Sequence, residues 1–437
     1  MVSRYKNQAA ILKKLGIEKL NAMQEVALEA ISNSNEVVLL SPTGTGKTLA
    51  FLLPIIDQLD PDSDNIQVLI LVPSRELAIQ IEQVIREMGS GFKTNAVYGG
   101  RSGTKDKLEL KRAPAILIGT PGRVADHMRR ENIDTSSIKT LVLDEFDKSL
   151  ETGFEKEMSE IVSLLPFIKK KILTSATQKV SIPEFVGLRN PKKLEFGGEH
   201  KSQLKIRLVE SPTRDKLDTL GKILGHVGDG SGILFCNLKD TINFVTKYLN
   251  RKGIGHATFY GGMEQIDRER SLIKFRNGTH KLLVATDLAA RGIDVPELDY
   301  IIHFQLPPKK EEFTHRNGRT ARMNAEGTAY VLKWKEEVLI DFIKGAEPLE
   351  IIESLSPIKS KWNTLFISGG RKDKISKGDI AGLFFKQGEL SKEELGNIEL
   401  KQDCAFVAVP TVKAKALVEL LNNSRLKTKK VRISLLI

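Results

Sequence analysis

The chain has 437 residues, of which 41% are hydrophobic and 28% charged, a balance typical of a globular protein with room for two or three domains. Its apolar runs fall well short of the ~18 residues of a membrane helix, and "MVSRYKNQAAILKKLG" carries no signal-peptide pattern. A cytoplasmic location without a membrane partner is therefore expected. Cys236 and Cys404 match no metal-binding or redox spacing.

The net charge of +12 is unevenly distributed. Residues 361–437 carry 15 Lys and Arg against 8 Asp and Glu, which gives this short segment more than half of the total. Such a distribution favours a polyanionic partner that is contacted mainly through the carboxyl-terminal segment. On charge alone, a basic surface without a partner is the alternative.

In chain order, the first elements alternate short β-branched runs with longer stretches of helical period. From about residue 37 the runs are "EVVLL", "QVLILVP", "TNAVYGG", "AILIGTP", "TLVLDE" and "KKKILTSAT", and a second series follows with "KIRLVES", "SGILFCN", "GHATFYGG", "KLLVATD", "YIIHFQLP" and "TAYVLKW". This alternation predicts parallel sheets covered by helices. Because "AVYGGR" at 96–101 is echoed by "TFYGGM" at 258–263, we interpret the two series as a duplicated α/β domain.

The last segment has a different pattern. Strand-like runs "TLFIS", "GNIEL", "CAFVAV" and "KKVRISLL" are separated by two helical stretches, in the order β-α-β-β-α-β of a split βαβ unit. We therefore predict an α/β chain of two tandem parallel-sheet domains, residues 1–197 and 204–345, followed by a small α+β domain at 361–437.

A phosphate-binding loop is predicted at "SPTGTGKT", residues 41–48, between a strand and a helix. Gly44 and Gly46 let backbone N–H groups approach phosphate oxygens, and the helix amino terminus adds its positive dipole end. Lys47 is expected to pair with the β and γ phosphates, and Thr48 to ligate magnesium. Ser41 departs from the general pattern, which has glycine there.

Carboxylates follow a buried strand in "LVLDEFDKSL", residues 141–150. In the same domain as a phosphate loop they predict a magnesium and water site, with Asp144 holding the metal through its waters and Glu145 orienting or deprotonating the attacking water. "HRNGRTAR" at 315–322 supplies arginines from the other domain, which would complete the site when the domains close.

These motifs resemble those of a known family. "GIEKLNAMQ", "SPTGTGKT", "PSRELAIQ", "GG", "TPGR", "DEFD", "SAT", "ILFCN", "ATDLAARGID" and "HRNGRTAR" occur in the order and spacing of the DEAD-box RNA helicases, over about residues 16–335. The resemblance implies two RecA-like domains, with ATP and Mg²⁺ as cofactors and RNA as the partner. It also implies that short duplexes are separated by clamping and bending one strand.

The resemblance further implies roles for individual residues. The ATP site would comprise Gln24 on the adenine edge, Asp294 on the ribose, and Thr43, Gly44, Thr45, Gly46, Lys47 and Thr48 on the phosphates. Catalysis would use Lys47, Asp144 and Glu145 with the arginine fingers Arg319 and Arg322, and domain closure would be coupled through Asp147, Ser175, Thr177 and His315. RNA phosphates would be held by Arg75, Gly99, Gly100, Thr120 and Arg123 in the first domain and by Gln265, Arg268 and Thr286 in the second.

Two departures from the family pattern bear on activity. Phe146 stands where the family has alanine, and because neighbouring strand-end side chains point to opposite sides, we predict that it packs into the domain and that ATPase activity survives. The alternative is that Phe146 slows the coupling of hydrolysis to RNA release. Ala321 replaces the usual glycine of the last motif and leaves the arginine spacing intact.

The tail resembles the RRM-like domain of the DbpA type of DEAD-box proteins, which implies binding to large-subunit ribosomal RNA. Phe366 and Phe406 are its candidates for base stacking, whereas Phe384 and Phe385 lie on a helix and are expected to pack in the core. Phosphate contacts are expected from basic residues, namely Arg371, Lys372, Lys374, Lys427, Lys429, Lys430 and Arg432. A dimerisation or protein-docking module is the alternative.

We therefore interpret the chain as a monomeric ATP-dependent RNA helicase that clamps, bends and locally unwinds structured RNA, with ribosomal RNA of the assembling large subunit as the expected target. An ATP-gated RNA clamp or assembly scaffold is the main alternative. A DNA helicase is a weaker one, and no DNA partner is expected.

Overall fold

The structure is a computed structural model that describes residues 7–42, 44–100, 102–176, 181–196, 203–287, 295, 298–321, 326–343, 345–351 and 360–436. The described residues up to 196 form one compact unit, and those from 203 onward form a second. Among the helices of the described residues, none combines the length and apolarity needed to span a bilayer.

The first unit is built on a parallel sheet with the strand order β3-β4-β2-β5-β6-β1-β7. Its strands are β1 (Glu36–Leu40), β2 (Val68–Leu71), β3 (Thr94–Val97), β4 (Ile116–Gly119), β5 (Thr140–Leu143), β6 (Lys170–Ser175) and β7 (Lys192–Glu195). The helices are α1 (Gln8–Leu15), α2 (Ala22–Asn33), α3 (Lys47–Asp57), α4 (Arg75–Met88), α5 (Gly103–Leu110), α6 (Pro121–Arg129), α7 (Phe146–Glu151) and α8 (Glu155–Ser163).

The core of this unit explains why its strands form. β2 and β4 consist only of buried residues, as strands covered by helices on both faces require. Two apolar clusters lie on the two faces of the sheet, and alternate residues of β1 contribute to each of them, Val37 to one and Val38 to the other. Because all strands are parallel, their carboxyl ends meet at one edge, where the chain leaves β1, β5 and β6.

The second unit begins with another parallel sheet, ordered β10-β11-β9-β12-β13-β8-β14. Its strands are β8 (Gln203–Ser211), β9 (Gly232–Phe235), β10 (His256–Phe259), β11 (Leu282–Ala285), β12 (Tyr300–His303), β13 (Glu326–Trp334) and β14 (Glu347–Pro348). The described helices are α9 (Leu217–Val227), α10 (Lys239–Arg251), α11 (Gln265–Arg276) and α12 (Lys310–Asn317). Two sheets of the same kind therefore follow each other along the chain, as the repeated pattern predicts.

The tail forms an antiparallel sheet of order β16-β17-β15-β20 and a small hairpin. Its elements are β15 (Trp362–Ile367), α13 (Lys377–Lys386), β16 (Ile398–Leu400), β17 (Ala405–Pro410), α14 (Ala414–Leu421), β18 (Arg425–Leu426), β19 (Lys429–Lys430) and β20 (Ile433–Leu435). Helices α13 and α14 pack on the sheet face that carries Leu365, Ile367 and Val407. The predicted fold class, two parallel-sheet domains and a small α+β domain, is confirmed.

Candidate nucleotide and RNA sites

The phosphate loop follows β1 and opens α3. Gly44 and Gly46 have φ angles of 84° and 88°, in the left-handed region that glycine adopts without strain. The ammonium of Lys47 is largely buried and donates to the Ser41 and Pro42 carbonyls, the second at 2.9 Å. Ser41 has a structural use, since its hydroxyl lies 2.9 Å from the Thr45 hydroxyl across the loop. Thr43 lies outside the described residues.

Gln24 is attached to this loop. Its side-chain amide donates to the Gly46 carbonyl at 3.3 Å, and its oxygen accepts from the Asn21 backbone in a capping box that starts α2. Asn21 in turn donates to the Thr45 carbonyl at 3.1 Å. A side chain at Gly46 would collide with Gln24, with only 2.4 Å between its Cβ and the amide nitrogen. The predicted adenine-reading residue therefore touches the predicted phosphate loop directly.

The acidic pair lies at the end of β5. Burial, and secondarily the neighbouring Glu145, raises the pKa of the Asp144 carboxyl to about 6. The Thr174 hydroxyl donates to Asp144 and accepts from the Glu145 backbone N–H at 3.2 Å. Thr174 thus orients both acidic residues, a role the sequence motifs do not indicate. A buried carboxyl with a raised pKa suits a cation ligand, because a nearby positive charge would restore its ionised form.

Glu145 has an unusual backbone. Its φ of 48° and ψ of 47° put a non-glycine residue in the left-handed region, immediately before α7. This turn sends Phe146 into the interior, where it is 1% exposed in an apolar cluster. The predicted packing of Phe146 is confirmed.

The coupling residues of the first unit lie close to the same edge. Ser175 ends β6, is fully buried, and accepts from the Ser41 backbone N–H at 3.0 Å. Asp147 is buried in the first turn of α7. Thr177 lies outside the described residues. Ser175 therefore connects the predicted coupling motif to the phosphate loop by a backbone hydrogen bond.

Three predicted RNA residues of the first unit lie together. The Arg75 guanidinium covers Gly99 and Gly100, so close that a Cβ at Gly100 would lie 2.4 Å from its Nη1 atom. Gly100 also has a φ of 83°. Thr120 caps α6 and accepts from the Arg123 backbone N–H at 3.0 Å. Arg75, Gly99 and Gly100 form one cluster, and Thr120 and Arg123 form a second.

A buried aspartate positions Arg123. Asp106 accepts from Nε and Nη2 of Arg123 at 2.9 Å each and lies 3.3 Å from Nε2 of His127. The Asn132 amide lies 3.2 Å from Nδ1 of the same ring, so Nδ1 accepts and Nε2 donates to Asp106. Asp106 is fully buried. No sequence motif points to it.

The second unit holds the other predicted RNA residues near α11. Gln265 and Arg268 lie on the first turn of that helix, and the Arg268 guanidinium stacks 4.6 Å from the Phe259 ring. The Thr286 backbone N–H donates to the Phe259 carbonyl at 3.3 Å. Contacts with Phe259 therefore hold Arg268 and Thr286 at the end of β10.

The arginine motif of the second unit is organised by its first arginine. Arg316 is 2% exposed; it pairs with Asp287 through two hydrogen bonds and donates to Asn237 Oδ1 at 2.7 Å and the Gln305 carbonyl at 2.6 Å. His315 lies in the last turn of α12 and Arg319 lies two residues beyond the helix, and both are half-buried. Asp294 and Arg322 lie outside the described residues. Ala321, the family's glycine position, has a φ of 51°, so this replacement carries backbone strain.

The aromatic residues of the tail differ from expectation. Phe406 is 6% exposed and, with Phe366 at its margin, belongs to a cluster that includes Ile273 of the preceding domain. Phe406 is therefore covered, and its assignment to base stacking is wrong for this arrangement, whereas Phe366 is half-buried at the margin of the cluster. Phe384 packs in the tail core as predicted, whereas Phe385 is exposed.

The fold and the first unit's site define a class, the phosphate-loop proteins with two tandem α/β domains. The chain matches the DEAD/DEAH box helicase model over residues 21–185, the helicase conserved C-terminal domain over 215–324, and the DbpA RNA-binding domain over 364–435. It is 31% identical to the ATP-dependent RNA helicase DbpA of Escherichia coli, over 98% of this chain and 97% of that protein. The Bacillus subtilis protein of the same name is 29% identical over 97% and 96% of the two chains.

Among solved structures, Dbp5 of S. cerevisiae bound to RNA and ADP BeF3 aligns with a TM-score of 0.68 and 28% identity, over 76% of this chain and 88% of that one. The chain belongs to the DEAD-box ATP-dependent RNA helicases of the DbpA type. It is an RNA-binding, ATP-dependent enzyme.

Proposed function

We propose that this helicase hydrolyses ATP at the carboxyl edge of the first sheet, with Glu145 orienting the attacking water and Asp144 holding Mg²⁺ through its waters. The observation that carries this is the single hydroxyl of Thr174, which fixes the carboxyl of Asp144 and the backbone of Glu145 together. Within the described residues, no group of three or more histidine, cysteine and carboxylate side chains could hold a metal. Mg²⁺ is usually bound by one or two carboxylates together with substrate phosphates, and the buried carboxyl of Asp144 fits that kind of site.

Mg²⁺ bound with ATP would neutralise charge developing on the β and γ phosphates. Residues of this chain would bind the phosphates and stabilise the transition state. Lys47 already directs its ammonium at the loop carbonyls and would exchange them for phosphate oxygens. Arg319 and Arg322, carried over from the family resemblance, would stabilise the transition state from the second domain.

We further propose that the tail anchors the enzyme on structured RNA, with large-subunit ribosomal RNA as the leading target, in a cytoplasmic, monomeric protein. Basic residues support the anchoring role: the segment Arg371–Asp373 and the β18–β19 hairpin are joined by the ion pair of Lys429 with Asp373 at 2.8 Å. Exposed Lys430 and Arg432 extend this basic end of the domain. Phosphate contacts of this kind position RNA without reading its sequence.

The test is steady-state ATPase of the full chain with a large-subunit ribosomal RNA transcript, an unstructured RNA and matching single-stranded DNA. Selective stimulation by the transcript is expected, and the double variant Lys430→Glu, Arg432→Glu should lose that selectivity. Lys415→Glu, an exposed charge reversal on α14, is the matched control. Equal stimulation by DNA would contradict the RNA assignment. Turnover without strand separation in a duplex assay would favour the ATP-gated clamp.

A further inference from the structure

Helix α11 has two different ends. Its first turn carries Gln265 and Arg268, assigned to RNA phosphates, and its last turn carries Ile273 and Arg276, which contact the tail domain. An α-helix of 12 residues is about 18 Å long and rigid over that length. A single rigid element therefore connects the predicted RNA site of the second domain to the tail.

The apolar part of this contact uses the outer face of the tail sheet. Ile273, Phe406 and Leu436 are 0%, 6% and 7% exposed and form one cluster, with Phe366 and Cys404 packed at its margin. Phe366 and Phe406 are paired across β15 and β17, with ring centroids 5.7 Å apart in an edge-to-face arrangement. Helix α11 therefore covers the part of the outer face around Phe406, opposite α13 and α14.

The polar part surrounds this cluster. Arg276 donates to Glu399 Oε1 from Nε at 2.7 Å and from Nη2 at 2.6 Å, in a pair whose side chains are 23% and 15% exposed. Charge-assisted pairs with two bonds are specific in geometry as well as strong. An arginine on α11 and a glutamate on β16 thus fix the orientation of the sheet on the helix.

Asn277, one residue beyond the helix, is satisfied by the tail on both sides. Its amide donates to Thr364 Oγ1 at 3.2 Å, and its oxygen accepts from Asn397 at 3.2 Å. Thr279 lies 2.7 Å from the same Thr364 hydroxyl. Thr364, Asn277 and Thr279 would lose these hydrogen-bond partners if the tail moved away. Leaving buried polar groups unpaired costs free energy, so the hydrogen bonds favour the docked arrangement.

We propose that the outer face of the tail sheet is a docking surface for α11, and that docking holds the tail in one orientation so that RNA anchored by the tail is presented to Gln265 and Arg268. The coupling part rests on the proposed anchoring function of the tail. A domain held in the productive orientation raises the effective concentration of its bound RNA, whereas a freely tethered one does not. Here the RNA anchor and the RNA site of the second domain act as one body.

Docking can be tested with a reporter that the chain already contains. Cys404 lies half-buried in the interface cluster, whereas Cys236 is fully buried in the core of the second domain. Arg276→Glu should raise the rate at which a maleimide labels Cys404 by about tenfold or more, because it places two like charges together. Cys236 should stay unreactive, which shows that the domain remains folded. The charge swap Arg276→Glu, Glu399→Arg should restore slow labelling.

Arg251→Glu, the same charge change at an exposed residue that ends α10, is the matched control and should leave Cys404 labelling unchanged. Unchanged labelling in Arg276→Glu, or a swap that fails to restore protection while both single variants expose Cys404, would overturn the docking inference. Both of these labelling results are obtained without RNA, so they test docking separately from the proposed anchoring function.

Coupling is tested by RNA titration of the ATPase with the full chain. For a large-subunit ribosomal RNA transcript, Arg276→Glu should raise the half-saturating concentration about tenfold, and the swap should lower it again. For a short oligo(A) strand, both variants should match the parent chain. If labelling changes but the transcript curve does not, the coupling is refuted. If the parent chain shows no preference for the transcript, the anchoring function fails and the labelling result still decides docking.

Discussion

The buried Arg316 and the partly exposed Asp287 form a two-bond ion pair that joins the start of the arginine motif to the loop after β11. The pair is completed by Asn237 and by the Gln305 carbonyl, so that Arg316 connects the ends of three strands. Its guanidinium also lies 4.9 Å from the Phe235 ring. Arg316 thus has a structural role, unlike the arginines assigned to catalysis.

Arg316→Ala should therefore destabilise the second unit. Removing one partner of a fully buried pair typically costs about 3–5 kcal/mol, and because Asp287 is 23% exposed the loss here should lie near or below the lower end of that range. Urea unfolding measures this change in the free energy of unfolding. Exposed Arg251→Ala should change stability by no more than about 0.5 kcal/mol, and an Arg316→Ala variant as stable as that control would contradict the role.

Thr174→Val should lower turnover while preserving the fold. It removes the hydroxyl that holds Asp144 and the Glu145 backbone, and the loss of one buried hydrogen bond corresponds to about 10- to 100-fold in kcat. ATPase at saturating RNA measures the effect. Thr174→Ser keeps the hydroxyl and should restore most of the activity, and equal kcat in the valine and serine variants would exclude this role.

Asp106→Asn should weaken RNA binding through Arg123. The variant keeps the size of the side chain but loses the charge that orients the guanidinium, so we expect the half-saturating RNA concentration to rise about tenfold with kcat unchanged. Asp126 lies 3.7 Å from the same arginine and is partly exposed, which makes Asp126→Asn the control. A fall in kcat without a change in RNA dependence would point to the ATP site instead.

Phe146→Ala should destabilise the first unit by about 3–5 kcal/mol, because it leaves a cavity in a closed apolar cluster. ATPase per folded molecule should persist, since the side chain points away from the acidic pair. Thermal unfolding and active-site titration separate the two effects. If turnover or unwinding by the folded fraction changes, Phe146 also affects coupling; if neither does, that alternative is excluded.

Stability should fall in mild acid. Burial lowers the pKa of His303 from 6.5 to about 3 and that of His280 from 6.5 to about 4. Below pH 6.5 the unfolded chain binds protons that the folded chain does not, so each histidine removes up to about 1.4 kcal/mol per pH unit until its folded pKa is reached. His280→Gln should flatten the pH dependence of the urea midpoint, and exposed His226→Gln should not.

The contrast between Phe146 and Phe406 shows what the sequence could predict. The prediction that Phe146 packs inside is confirmed, but β5 ends at Leu143, and the side chain reaches the interior through the left-handed turn at Glu145 rather than through strand alternation. Phe406 was placed wrongly because the surface that covers it comes from Ile273, more than a hundred residues earlier, and no local pattern reports a distant partner. The two sheets and the phosphate loop follow from periodicity and glycine spacing.

The residues that position the site residues show the same limit of prediction from the sequence. Thr174 precedes a recognised motif by one position and Arg316 lies inside another, so both could be suspected but not assigned. Asp106 lies in a segment without any motif, and its contact with Arg123 depends on how α5 packs beside α6. Positioning residues of this kind are defined by geometry in three dimensions.

The burial of Phe406, with Phe366 half-buried beside it, also changes how these two positions can evolve. A stacking platform must keep flat aromatic rings, because each ring has to meet a base. A docking surface needs only apolar volume, so leucine or methionine should serve at either position, while a charged residue should not. Natural variation at positions 366 and 406 should therefore follow the rules of a protein core.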